Sequence, residues 1–167
     1  MSDQARIVVG VDGSESSKVA LRWAVAMATS LGCTVEAITA WHVPAVASPS
    51  GGWVPLPTDR DLADDALQML HLTVVEVFGD HWPQGLQVTV RHGNAAEVLL
   101  DASVDARMLV VGRRGGGGFA RLLLGSVSAA CAEHAACPVL VVNSAPGEDE
   151  GPSRSGPRDR SVDQLDS

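Results

Sequence analysis

Four residues at fixed spacing are the part of the sequence best suited to bind a ligand: Gly112-x2-Gly115-x9-Gly125-Ser126. They follow an apolar run over 108–111 and lead into a helical pattern over 127–134. Glycines expose backbone N–H groups, and a helix N-terminus adds unpaired N–H groups and a positive dipole end. Ser126 and Ser128 add hydroxyl donors. The spacing predicts a phosphate-binding loop; the alternative is a flexible surface loop with a turn at Gly125.

Asp12 is a second candidate, because it follows the first predicted strand directly. A carboxylate at a strand end is placed to contact a ligand, although Asp before Gly-Ser also favours a plain turn. Arg114 and Arg121 could pair with phosphates, but exposed arginines are more often solvated. These three residues are therefore candidates with an ordinary structural alternative.

Apolar patterning predicts strands and helices in strict alternation. The predicted strands cover 6–11, 34–41, 86–91, 108–111 and 138–143, and the predicted helices cover 16–31, 61–78, a short segment after Asn94, and 127–134. In the first helix the apolar residues at 19, 20, 23, 24, 27, 28 and 31 place Trp23 in the core. The alternation predicts an α/β fold, with a parallel sheet and helices on both faces.

Composition narrows the partners. The net charge is −8 and no basic stripe is visible, so we expect neither nucleic acid nor an anionic membrane as partner. No apolar run reaches the roughly 18 residues of a membrane span. The three cysteines and the lack of a leader pattern indicate a cytoplasmic protein with free thiols. Residues 145–167 lack apolar periodicity and predict a disordered acidic tail after a single domain over 1–144.

Other chemistry is less well supported. Cys131, His134 and Cys137 have suggestive spacing for zinc, but a fourth ligand is missing, so no metal site is predicted. A Walker A loop needs Gly-Lys-Ser/Thr, whereas Lys18 is the only lysine and lies elsewhere. No Gly-x-Ser-x-Gly elbow is present, and no catalytic residue is assigned.

Three segments together resemble the universal stress protein family over about residues 5–143: Val8-Val-Gly-Val-Asp-Gly-Ser14, the glycine motif with Leu122 to Ser128, and His134-Ala-Ala-Cys-Pro-Val-Leu-Val-Val142. The resemblance implies an open five-stranded parallel sheet of strand order 3-2-1-4-5, of the adenine nucleotide alpha hydrolase type. Ligands of such sheets bind at the carboxyl ends of the strands, where the order reverses. Here that point lies between strands 1 and 4.

The ATP-binding branch of that family implies a role for each matching residue, with ATP and Mg²⁺ as the ligand. Gly10, Val11 and Asp12 would lie near the adenosine, and Val43 would contact adenine. The ribose side would meet Gly112 and Arg114. The residues implied to surround the phosphates are Gly115, Gly125, Ser126, Val127 and Ser128, with Gly116, Gly117 and Gly118 allowing a close backbone approach.

The resemblance implies an ATP-binding regulator of a stress response that acts on an unknown protein partner. One alternative is a slow ATPase or an autophosphorylating enzyme, for which no positioned general base is visible. Another is an interaction dimer that works without nucleotide. The apolar last strand, Pro138 to Asn143, is an edge that invites pairing with a second copy, and the family likeness also implies a homodimer there.

Overall fold

Five parallel strands and four helices alternate along the described part of the chain, which the computed structural model gives as residues 5–42, 58–114 and 124–144. The strands are β1 (Arg6–Gly10), β2 (Thr34–Trp41), β3 (Leu86–His92), β4 (Ala106–Gly112) and β5 (Val139–Val142). The helices are α1 (Glu15–Leu31), α2 (Asp59–Phe78), α3 (Ala95–Ser103) and α4 (Ser126–His134). Val43, Gly115 to Gly118 and the tail over 145–167 lie outside the described residues.

The strand order β3-β2-β1-β4-β5 confirms the expected topology. All four neighbouring pairs are parallel, with Val9 opposite Ala37 of β2 on one side and Val110 of β4 on the other. Most predicted element boundaries are correct to within two residues. Val11 lies one residue beyond β1 but still donates its backbone N–H to Ile38 O at 2.9 Å.

Alternation along the strands supplies two apolar layers, one on each face of the sheet. Ile7, Val9 and Val11 face α1 and α2, whereas Val8 faces α3 and α4. All four side chains are at most 3% exposed. Helices on both faces therefore cover the central strands, as parallel sheets require. In the described part of the chain no helix is both long and apolar enough to span a bilayer.

Trp23 does not lie in the core, so that prediction is wrong. Its relative exposure is 52%, and the buried stripe of α1 runs instead through Ala20, Leu21, Ala24 and Ala28. Apolar residues occupy most of the circumference of α1, so helical spacing alone does not fix which stripe faces the sheet. The smaller alanines pack on the sheet, and the bulky indole remains at the flank.

A charged contact joins α1 to α2. Lys18 Nζ lies 2.6 Å from Glu15 Oε1 and 2.6 Å from Glu76 Oε1. The hydrogen bond to Glu15, followed by that to Glu76, raises the pKa of Lys18. Only 11% of the Lys18 side chain is exposed. This contact fixes the two helices against each other on one face of the sheet.

Candidate functional site

The strand order reverses between β1 and β4, and the described residues of the predicted site include the ends of both strands. After β1 the chain turns into α1 on one face, and after β4 it leads towards α4 on the opposite face. In open parallel sheets, the carboxyl ends of two such strands border a crevice that binds ligands. Gly10 ends β1 and Gly112 ends β4, so both glycines lie at this edge.

Asp12 organises the turn between β1 and α1. Its Oδ1 accepts hydrogen bonds from the backbone N–H of Ser14 at 3.1 Å and from Ser14 Oγ at 2.5 Å. Gly13 has φ of 79°, and a Cβ there would lie 3.2 Å from Met69 Sδ. The turn role that Asp-Gly-Ser favours is thus observed, and it places the carboxylate at the mouth of the crevice.

Gly10 and Val11 are tightly integrated into the fold. A Cβ on Gly10 would lie 2.8 Å from Leu99 Cδ1, so α3 approaches the strand closely. Val11 is buried, donates its N–H to Ile38 O, and accepts from Thr39 Oγ1 at 2.8 Å. Both backbone groups of Val11 therefore already have protein partners.

Gly112 is required by the close approach of α1. A Cβ at this position would lie 2.6 Å from Ser16 Oγ and 2.8 Å from the Ser16 carbonyl carbon. Ser16 Oγ also donates to Arg114 O and lies 3.3 Å from Ser14 Oγ. Ser16, only 3% exposed, thus links the turn after β1 to the segment after β4. Sequence reasoning missed Ser16, whose only signal was its polar character in a helical first turn.

The N-terminus of α4 differs from those of the other three helices. Ser14, Thr58 and Asn94 cap α1, α2 and α3 with a side-chain oxygen, and each of these helices carries an acidic residue in its first turn. In α4 the N-cap is Gly125, which makes no side-chain cap bond, and the first turn has no acidic residue. Among the described residues, the first turn of α4 therefore has neither a side-chain cap bond nor a carboxylate of its own, a setting that suits an anion.

The loop that leads to α4 is held at both ends. Arg113 donates its backbone N–H to Val142 O at 2.7 Å, and Arg113 O accepts from the N–H of Gly125 at 2.8 Å. Ser128 Oγ donates to Gly112 O at 2.6 Å, and Ser128 is only 3% exposed. The Ser128 hydroxyl thus fastens α4 to the end of β4. Ser126, by contrast, is exposed at the start of the helix.

Cys131 and His134 lie in α4, and Cys137 lies between α4 and β5. Among the described residues, no group of three or more His, Cys, Asp or Glu side chains could hold a metal ion. Cys131 is fully buried on the inner face of α4. Desolvation, with a smaller contribution from Cys137, raises the pKa of its thiol to about 11. His134 instead lies 3.7 Å from Glu133. Cys131 therefore acts as a core residue.

The fold defines an open α/β protein whose strand order reverses between β1 and β4. The universal stress protein family profile matches residues 5–143, so the chain belongs to the universal stress protein family. A universal stress protein of Mycolicibacterium smegmatis is 36% identical over 149 residues, which cover 86% of this chain and 49% of that protein. The chain spans about half the length of the curated relatives it matches.

Solved structures agree with the fold. UspA from Lactobacillus plantarum has a TM-score of 0.66 at 20% identity, covering 85% of this chain and 99% of its own. A universal stress protein crystallised in complex with cAMP has a TM-score of 0.60 at 25% identity, covering 86% of this chain and 99% of its own. Binding of an adenine nucleotide thus occurs in a structural neighbour of similar length.

Proposed function

We propose that this chain binds ATP in the crevice between β1 and β4, and that nucleotide occupancy regulates its interaction with a protein partner in a stress response. The observation that carries the proposal is the N-terminus of α4, which has no side-chain cap and no acidic residue and directly adjoins the end of β4. The cAMP complex of a neighbour supports an adenine nucleotide as the ligand class.

The proposed site uses backbone groups more than side chains. The N–H groups of Ser126, Val127 and Ser128 would meet phosphate oxygens at the positive end of α4. Arg114 and Gly112 would lie on the ribose side, and Asp12 near the adenosine. Because the Ser128 hydroxyl donates to Gly112 O, we assign the phosphate contact of Ser128 to its main chain.

The roles proposed for Val43 and for the glycines at 115–118 rest on the family resemblance alone. Val43 would contact adenine, and the glycine run would close over the phosphates. Mg²⁺ would enter with the nucleotide, since this cation usually binds through phosphate oxygens, one or two carboxylates and water. Asp12 is the carboxylate of the proposed set.

A charge change at the first residue of α4 tests the phosphate position. Ser126→Asp adds a negative charge beside the proposed phosphates. Ser126→Asn introduces a neutral side chain of the same shape as aspartate. We expect isothermal titration calorimetry to show ATP binding weakened about tenfold or more by Asp and by less than about threefold by Asn. The aspartate also suits the helix dipole, so the urea midpoint should be unchanged or raised. Equal ATP affinity in the two variants would place the phosphates elsewhere.

A homodimer through β5 is part of the same proposal. β5 is an edge strand, and Val139, Leu140 and Val141 are each only half-buried. Trp23 shares a helix face with Ser16, which reaches the end of β4, and α1 also contacts β5. The exposed indole of Trp23 would be covered by a second copy that reaches α1. Sedimentation velocity should give a dimer mass, and a monomer at every concentration would contradict this.

A further inference from the structure

The outward face of α2 carries a straight row of exposed residues, here called the α2 stripe: Asp61, Asp65, Gln68, Leu72 and Val75. Their spacing alternates between four and three residues, so they lie on one side of the helix. The first two are acidic and the last two apolar. The stripe therefore divides into an acidic half and an apolar half along a single face.

The apolar half of the stripe is exposed. Leu72 is 61% exposed and Val75 is 49% exposed. Trp82, 46% exposed, packs its ring edge-on against His71, with centroids 5.8 Å apart at 69°. Its indole N–H donates to Leu86 O at 3.2 Å. His71 and the hydrogen bond to Leu86 thus fix the orientation of the Trp82 ring beside the stripe, and part of the ring stays exposed. A fixed, exposed tryptophan is the type of residue that dominates the energetics of protein interfaces.

The acidic half has more charge than the helix itself needs. Asp59, Asp61, Asp64 and Asp65 face a single opposing charge, Arg60, in the first two turns. Asp59 and Asp61 suit the N-terminal dipole, and Asp61 also completes the capping box with Thr58. Asp64 and Asp65 lie beyond the first turn and serve neither purpose. They leave a negative field next to an apolar surface.

A second copy of the chain does not complement this stripe. In a parallel pair of α2 helices, the aspartates of the two copies would face each other. In an antiparallel two-fold pair, Asp61 and Asp65 would lie opposite Leu72 and Val75, which buries carboxylates against apolar side chains at high cost. A complementary partner would carry positive charge opposite the acidic half and apolar side chains opposite the apolar half.

We propose that the α2 stripe and Trp82 bind an amphipathic helix of another protein. The contact face of that helix carries Lys or Arg at one end and Leu or aromatic residues at the other. The apolar residues pack on Leu72, Val75 and Trp82, while the cations pair with Asp61 and Asp65. This is recognition of an amphipathic helix by its apolar stripe, with charge fixing its direction. The surface lies on α2 and does not depend on nucleotide binding.

The test uses a stapled, fluorescein-labelled helical peptide of 18 residues with Lys in one half of its contact face and Leu and Trp in the other. A second peptide of equal composition interleaves the same residues along that face. Fluorescence anisotropy should show the segregated peptide binding the full chain at least tenfold more tightly. Equal binding of the two peptides would reduce the effect to attraction by net charge and overturn the proposal.

Matched variants locate the surface. Val75→Glu should weaken the segregated peptide about tenfold, whereas Val104→Glu, at a 65% exposed valine after α3, should leave it within twofold. Asp65→Lys should weaken it about threefold at low salt and less at high salt, with Asp101→Lys on α3 as the control. Circular dichroism and urea midpoints confirm that all four variants fold.

Equal losses in the test and control variants would overturn the proposal. So would self-association of the wild-type chain that Val75→Glu abolishes, because that result assigns the face to a second copy.

Discussion

The N-termini of α1 and α4 border the same crevice, yet they are built in opposite ways. At α1 the side chain of Ser14 caps the helix, Asp12 holds the turn, and Glu15 supplies a first-turn charge. At α4 a glycine occupies the cap position and the first turn holds no carboxylate. The protein thus caps one helix end with its own side chains and leaves the other without a side-chain cap.

The difference shows how a sheet with two helix ends at one edge can select the position of an anion. A phosphate near α1 would compete with Ser14 and meet Asp12 and Glu15, both negative. Near α4 it meets main-chain N–H groups and no first-turn carboxylate. In the proposed site, repulsion at the α1 end would therefore contribute to specificity for the α4 end. The following predictions test the two ends in order of decreasing effect.

Substitution of Gly112 should lower the free energy of unfolding most, because a larger side chain there would push α1 away from β4. In Gly112→Ala the new Cβ meets the Ser16 backbone at 2.8 Å, so we expect a loss of about 2–3 kcal/mol in the free energy of unfolding. Gly10→Ala is the matched control, since its Cβ meets a movable Leu99 methyl at 2.8 Å, and it should cost about 1 kcal/mol or less. Urea unfolding measures both. A Gly112→Ala loss no greater than that of Gly10→Ala would contradict the close approach of α1.

The anchoring of α4 through its inner face should be visible at alkaline pH. The folded pKa of Cys131, about 11, lies above the ordinary value of 9.0, so its stabilising contribution is present below pH 9 and lost as pH rises towards 11. We expect the free energy of unfolding of the wild type to fall about 2 kcal/mol more than that of Cys131→Ala between these pH values. Urea titrations at stepped pH measure the two slopes, and parallel slopes would show that the buried thiol is not responsible.

The smallest effect compares the first serines of the two helices. Ser14→Ala removes the cap of α1 and should lower the free energy of unfolding by about 1 kcal/mol. Ser126→Ala changes an exposed side chain at an uncapped end and should stay within about 0.5 kcal/mol. Thermal and urea unfolding of both variants without nucleotide gives the comparison. Similar losses would mean that α4 is capped by its own serine after all.

The sequence was sufficient to predict the order of elements but not the phase of every helix. β-Branched runs located the strands, and Gly32 with φ of 64° ends α1 as expected. Trp23 was misplaced because apolar residues surround α1, so two different stripes satisfy the same period. The strand order came from the family resemblance, since apolar patterning does not specify which strands are neighbours.

The site was predictable where it depends on the main chain and obscure where it depends on side-chain direction. A glycine and a serine after a strand were enough to locate the start of α4. The inward turn of the Ser128 hydroxyl and the bridge made by Ser16 were not foreseeable, because a serine in a first turn can cap, bridge or face solvent. Gly112 was predicted to contact a ligand, and the structure shows a separate reason for a glycine there, which is the close approach of Ser16.

Lys18 offers a practical consequence of the way α1 and α2 are joined. It is the only side-chain amine in the sequence, and its two carboxylate partners keep it protonated and covered. Acylating reagents require a free, uncharged amine, so modification of this residue depends on transient opening of its ion pairs with Glu15 and Glu76. The rate of acylation at Lys18 thus reports how often this contact opens. Mass spectrometry can measure that rate without an introduced probe.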